Sequence, residues 1–164
     1  MNAGLPGVFS VRYELAEIYR TAAAESTGES AALVVHCSDP RYQPHFQEFL
    51  AKGLGLRLYG LLAVPGGAQL LTMTDYLPKY SWTGWRWTKF MMNLSQPDRV
   101  VLIAHEDCRW YLDPRFGHGL TRIEARQIED LEQVRRSMIE RFGARRVDIY
   151  YARLESGRAA FRAL

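Results

Sequence analysis

The stretch that decides the fold is RVVLIAHEDC, residues 99–108. From Val100 to Ala104 every side chain is apolar, and Val100, Val101 and Ile103 are β-branched. A strand with one wet face alternates apolar and polar residues. An unbroken run of this kind reads instead as a strand covered on both faces, as inside a parallel sheet. The chain then changes character within one residue, to His105-Glu106-Asp107-Cys108. Residues 31–35, AALVV, repeat the pattern, and polar chemistry again follows directly, as His36-Cys37-Ser38-Asp39-Pro40-Arg41.

Outward from these two runs, strands and helices alternate. Residues 11–25 carry Val11, Leu15, Ile18 and Ala22 at helical spacing behind Ser10, a suitable N-cap, and Gly28 stops that helix. Pro44 suits the first turn of a helix running to Lys52, ended by Gly53-Leu54-Gly55. Residues 56–64 read as a second strand closed by Pro65-Gly66-Gly67, and residues 68–95 as helix, loop and helix. The clearest helix spans residues 121–142. There Thr121 and Glu124 form a capping box, Ile123, Ile128, Leu131, Val134, Met138 and Phe142 supply an apolar face, and Gly143 closes the end. Residues 146–152 form a last strand before the polar turn Glu155-Ser156-Gly157. The alternation specifies an α/β fold in three layers, a mostly parallel sheet of four to five strands with helices on both faces. In such sheets ligands bind beyond the carboxyl ends of strands. Both cysteines of the chain, Cys37 and Cys108, fall there.

The 164 residues, 48% hydrophobic and 24% charged, suffice for one core, so residues 1–164 are read as a single domain. No apolar run approaches the ~20 residues of a membrane span. The first ten residues lack the basic-then-apolar pattern of a secretory leader, and a cytoplasmic protein is expected. The net charge of +3 is scattered rather than gathered into a run, which argues against a nucleic-acid partner. Two cysteines are too few for a disulfide scaffold.

Cys37, His105 and Cys108 together make a three-ligand zinc set, two thiolates and an imidazole. The His-x-x-Cys spacing puts both side chains on one side of a turn, and an adjacent parallel strand delivers Cys37. A structural zinc site wants four protein ligands; three leave one position for water or substrate, the catalytic arrangement. Asp39 and Arg41 follow Cys37 at alternate positions, where a guanidinium fork keeps the carboxylate ionised and aimed. Such a carboxylate either accepts a hydrogen bond from zinc-bound water or swings in as a fourth ligand.

Cys37-Ser38-Asp39-Pro40-Arg41 together with His105-Glu106-Asp107-Cys108 resembles the β-class carbonic anhydrases, which carry Cys-x-Asp-x-Arg after the first strand and His-x-x-Cys after the third. The resemblance runs in order from residue 11 to the end. It implies Zn2+ held by Cys37, His105 and Cys108, and a catalytic Asp39–Arg41 dyad beside it. The reaction it implies is reversible hydration of CO2 to bicarbonate by zinc-bound hydroxide, which Asp39 orients. It implies a homodimer or higher homo-oligomer, with residues 11–25 like the family helix that packs on the partner subunit. Residues 151–161 resemble the family's closing strand pair. Three departures mark this chain. Arg109 stands where family members carry Gly, and Val64-Pro65-Gly66 replaces an Asn-Ala-Gly stretch. Cys37 and His105 are 68 positions apart (105 − 37), longer than is usual, with the extra length in residues 74–92. The same chemistry serves a sulfur analogue of CO2, carbonyl sulfide or carbon disulfide. The competing reading is a non-catalytic zinc-binding member, favoured by Arg109 and the altered end of the second strand.

Plainer readings stand beside these. Free cysteines are often inert core residues, and Cys37 with Cys108 could form a redox-switch disulfide. Asp39 and Arg41 could be an ordinary surface pair. His36 and His45 read as supporting or surface residues, His118 as part of a glycine loop near the site, and Glu106 and Asp107 as solvent-facing or capping groups. Tyr80, Trp82, Trp85, Arg86, Trp87 and Lys89 form an aromatic and basic cluster. Such interleaving can bind single-stranded nucleic acid, but a core segment, a subunit interface or a lid on the pocket fits the remaining sequence better.

Overall fold

Along the two central strands, alternate side chains part to opposite faces. In β1 (Leu33–Cys37) and β3 (Arg99–His105), Leu33, Val35, Val100 and Leu102 enter one core, whereas Val34, Val101 and Ile103 enter a second. The two-residue period of a strand makes this split obligatory, so an unbroken apolar run needs cover on both sides. The computed structural model, which describes residues 16–23, 28–74, 77–114 and 123–164, supplies that cover.

Five strands lie side by side in the order β2 (Gly60–Val64), β1, β3, β4 (Arg146–Glu155) and β5 (Arg158–Ala163). The first four run parallel, and β5 returns antiparallel along β4 through the turn at Ser156-Gly157. On the Val34 side lies α1 (Gln43–Glu48), where Phe46 and the following Leu50 are fully buried. On the other side lie α2 (Pro78–Ser95) and α3 (Ile123–Phe142), which insert Met92, Leu131, Val134 and Met138. Each such side chain contributes ~1.5–3 kcal/mol of burial free energy. The three layers and the mostly parallel sheet are as the sequence implies. Among the described residues no helix is long and apolar enough to cross a membrane.

Several bounds shift. Pro44 lies in the first turn of α1, and the chain stays helical as a π-type turn through Gly53. The second strand is shorter than residues 56–64. Leu56 still closes the preceding helix, its N–H bonding Leu50 O at 2.8 Å, and pairing with β1 starts at Gly60. In α3 the buried stripe holds Gln127 and Asp130, while Ile128 is only half-buried. The helix expected over residues 11–25 is absent where the chain is described: residues 16–23 are not helical, and Ile18 is 97% and Tyr19 79% exposed. A helix of that length is marginal in water without a surface to bury its stripe. Ser10, Val11 and Leu15 of that expectation, the capping residue Thr121, and His118 lie outside the described residues.

Candidate metal centre

The candidate site sits beyond the carboxyl ends of β1 and β3, neighbours in the parallel sheet with His36 opposite Ile103. The ligand atoms of Cys37, His105 and Cys108 all lie within 4.8 Å of one another, and all three residues are buried. Both cysteines are free thiols, with Sγ atoms 3.7 Å apart. Two thiolates each ~2.3 Å from a tetrahedral zinc stand about 3.8 Å apart. The separation matches, where a disulfide would need ~2.05 Å.

The imidazole is equally prepared. His105 Nδ1 donates to the Glu106 carbonyl at 2.8 Å, which leaves Nε2 as the ring's lone-pair nitrogen. That Nε2 is buried and has no hydrogen-bond partner among the described residues. A buried polar atom is normally satisfied, so an orphan beside two thiols calls for a ligand. The two sulfur atoms lie within hydrogen-bond reach of each other, and either can be the donor. The hydrogen bond from Cys108 brings Cys37 down to about 4 against the opposing effect of burial, while that same bond and burial push Cys108 up. A soft dication can replace such a proton between two sulfur atoms. The donor set therefore fits zinc, with Cys37, His105 and Cys108 as the residues able to hold it.

Local sequence explains how the two turns reach this geometry. After β2, Gly66 (φ 75°) and Gly67 (φ 56°) carry the chain past Cys37 in the left-handed region. A Cβ on Gly67 would stand 3.0 Å from the Cys37 amide nitrogen, and one on Gly66 would stand 2.2 Å from Trp110 Cδ1. After β3, Asp107 adopts φ 51°, a conformation Asp tolerates better than most residues. Tyr42 lays its ring 4.1 Å from that of His105, and burial pushes its hydroxyl up to about 12.

Asp39 and Arg41 form the expected fork. Arg41 Nη2 donates to Asp39 Oδ2 at 2.7 Å, Nε reaches both carboxylate oxygens, and the Arg41 amide bonds Oδ1 at 3.0 Å. These bonds hold the Asp39 carboxyl below the usual carboxylate range despite partial burial. Arg41 also donates from Nη1 to Asp107 Oδ2 and from Nη2 to the Asp107 carbonyl, both at 2.9 Å. Asp107, read from sequence as solvent-facing or capping, is thus an ion-pair partner that ties the two turns together. Glu106 caps instead, accepting the Leu154 N–H. His36 is buried, donating from Nδ1 to its neighbour's carbonyl at 2.8 Å with its ring tilted against that of Phe46, and burial lowers its pKa.

An open cleft of about 640 Å³ is lined by Cys37, Asp39, Arg41, Cys108, Arg109 and Trp110. Arg109 makes no ion pair or hydrogen bond among the described residues and adds a positive charge at the cleft. Across the wall made by Pro65 and Trp110 lies a second, apolar chamber of about 440 Å³ that includes Leu70, Tyr80 and Trp87. Of the aromatic cluster, Trp85 belongs to the core, donating to Leu71 O at 2.9 Å and stacking on Phe142, while Trp82 and Trp87 are exposed. The sequence reading passed over Gln127 and Asp130. Their phase with Ile123, Leu131 and Val134 was the available signal.

No family model and no curated protein matches the sequence. Three solved structures that align with the chain are β-carbonic anhydrases. One, CafA of Aspergillus fumigatus, is 16% identical with a TM-score of 0.44, over 83% of this chain and 76% of that one. A second, isoform I of Trichomonas vaginalis, is 11% identical with a TM-score of 0.48, over 87% of each chain. A third, from a study of two tetrameric enzymes of Sordaria macrospora, is 15% identical with a TM-score of 0.41, over 82% of this chain and 81% of that one.

Proposed function

We propose that this chain is a zinc-dependent, carbonic anhydrase-like lyase that hydrates CO2 reversibly to bicarbonate. The observation that carries the reading is the buried Nε2 of His105, without a hydrogen-bond partner among the described residues, beside two thiols at the separation of a zinc–dithiolate edge. Zinc in a three-ligand set acidifies water, so that a nucleophile is available near neutral pH. Asp39, ionised and fixed by Arg41, accepts hydrogen bonds from groups entering the cleft and so orients them. Arg41 keeps Asp39 from swinging away by anchoring itself on the Asp107 side of the cleft. The charge of Arg109, which has no ion-pair partner among the described residues, favours an anion such as bicarbonate at the cleft.

Two further parts of the reading rest on the surface and the thiols. Tyr80, Trp87, Phe90 and Leu94 are exposed along one side of α2 at spacings of seven, three and four residues, which supports burial against a second copy in a homo-oligomer. A pair of free thiols 3.7 Å apart suits a reducing, cytoplasmic setting. A second substrate reading, hydrolysis of carbonyl sulfide or carbon disulfide, is favoured by the apolar chamber beside the cleft, which suits a less polar electrophile.

The test combines zinc content with stopped-flow CO2 hydration on the wild type and on the Cys37→Ser and Asp39→Ala variants. One zinc per chain, hydration above background, loss of zinc in Cys37→Ser, and a slower but zinc-loaded Asp39→Ala are expected. Stoichiometric zinc with background hydration sinks the anhydrase reading and turns attention to the sulfur analogues. Failure to bind zinc under reducing conditions sinks the metal site itself.

A further inference from the structure

The buried face of α3 carries two polar residues where apolar ones would be easier to accommodate. Gln127 is 2% and Asp130 1% exposed, one helical turn apart. Burying an amide or a carboxylate costs free energy unless every polar atom is paired, and hydrophobic replacement of such groups is often stabilising. Both residues are in fact fully engaged. Gln127 Nε2 donates to the His105 carbonyl at 3.0 Å, and its Oε1 accepts from the Tyr151 hydroxyl at 3.0 Å. Asp130 Oδ1 accepts from the Thr72 hydroxyl at 2.7 Å and pairs with Arg126 Nη2 at 3.0 Å. Its Oδ2 accepts from the Tyr111 hydroxyl at 2.8 Å. Tyr111 in turn packs in one buried cluster with Cys37 and Cys108, and its amide bonds the Cys108 carbonyl at 3.0 Å.

The two bonds reach opposite ends of one turn. Gln127 holds the backbone at His105, and Asp130, acting through Tyr111, holds the backbone at Cys108. The rigid rise of a single helical turn therefore sets the span between the two donors. We propose that Gln127 and Asp130 are positioning residues for the metal centre, fixing the distance and orientation between His105 and Cys108. This rests on the metal reading above and goes beyond it, because neither residue touches the ligand atoms.

The experiment measures zinc affinity by competition with a chromogenic chelator, and the visible spectrum of the cobalt(II)-loaded protein, whose bands report ligand geometry. Gln127→Met, Asp130→Asn and Tyr111→Phe are compared with Val134→Ala. The last opens a cavity on the same helix without touching the network, and is matched by thermal unfolding. The three network variants are expected to bind zinc about 10–100-fold more weakly, the range for partners of metal ligands, and to shift the cobalt bands. Val134→Ala should lower the unfolding temperature at least as much while keeping affinity within about threefold and the cobalt spectrum unchanged. Wild-type affinity and spectrum in Gln127→Met and Tyr111→Phe overturn the proposal, as does an equal loss of affinity in Val134→Ala. A wild type that binds neither ion overturns it together with the metal reading, and that result is distinct because it appears before any variant is made.

Discussion

The side chains that brace the turn after β1 come from within six positions of the atoms they hold. His36 and Gln43 both donate to the Cys37 carbonyl, Gln43 also reaches the Asp39 carbonyl, and Arg41 forks onto the Asp39 carboxylate two residues away. The turn after β3 has one such local bond, from His105 to the Glu106 carbonyl, and its other side-chain donors come from afar, Gln127 from 22 positions away and Arg41 from 66. One half of the candidate centre is thus a self-supporting loop, and the other is a loop hung from a helix. Redundancy differs as well. In the first turn the Cys37 and Asp39 carbonyls each have two donors, the Asp39 carbonyl also accepting from the Tyr42 amide at 3.1 Å. In the second turn the His105 carbonyl has one side-chain donor among the described residues, Gln127, whereas Asp107 takes both its long-range bonds from the same residue, Arg41.

Arg41 belongs to both halves, so its replacement is the hardest blow to this contrast. Arg41→Lys keeps the charge but loses the planar fork and the second pair of bonds to Asp107. CO2 hydration is expected to fall about 10–100-fold with zinc content unchanged, read by stopped flow beside metal analysis. An unchanged rate would show that neither turn needs the brace.

A milder variant sharpens the same contrast. Gln43→Ala removes two 3.0 Å bonds from the first turn, but each carbonyl keeps another donor, so no acceptor is orphaned. Zinc affinity should weaken by less than about threefold, against the 10–100-fold expected of Gln127→Met. Equal losses in the two variants would erase the difference between the turns.

The smallest effect is expected at the far end of the strands, where Asp148 serves as a control. Burial opposes its ionisation, but hydrogen bonds from Arg146 at 2.9 Å and Arg99 at 2.6 Å outweigh it and hold the carboxyl below the usual range. A carboxyl depressed in the folded state stabilises fully above its unfolded pKa near 3.8, and that stability is lost as pH falls through the folded value. Asp148→Asn should lower the unfolding temperature by about 2–4 °C at pH 7. The gap should narrow as the pH falls below 3.8 and close once it is below the folded value, with zinc affinity at pH 7 equal to that of the wild type. A gap that persists in acid contradicts the assignment.

This asymmetry also explains what the sequence disclosed. The strand runs at residues 31–35 and 100–104 announced a doubly covered sheet because their apolar character is continuous, and the donor residues lay immediately after them. The Asp39–Arg41 fork was legible because its partners are two positions apart. Asp107 was not, because its partner lies 66 positions away and only the closed sheet brings them together. Gln127 and Asp130 were hidden by a count of apolar residues on α3, although helical phase places them on the buried face. The N-terminal stripe misled for the opposite reason: its periodicity is helical, yet residues 16–23 are exposed and no described residue covers them.

The two-faced apolarity of β3 has one more consequence, for register. Slide β3 by one residue and Val100 and Leu102 exchange places with Val101 and Ile103, so the cores themselves discriminate little between the alignments. The slip would nevertheless turn His105 away from Cys37 and put Ala104 in its place. Alignment must come from the polar ends of the strand, where Arg99 grips Asp148 at one limit and Glu106 holds the Leu154 amide at the other. These two ties act as end stops: the hydrophobic middle supplies adhesion, and a pair of outlying charges keeps the donors of the metal centre in line.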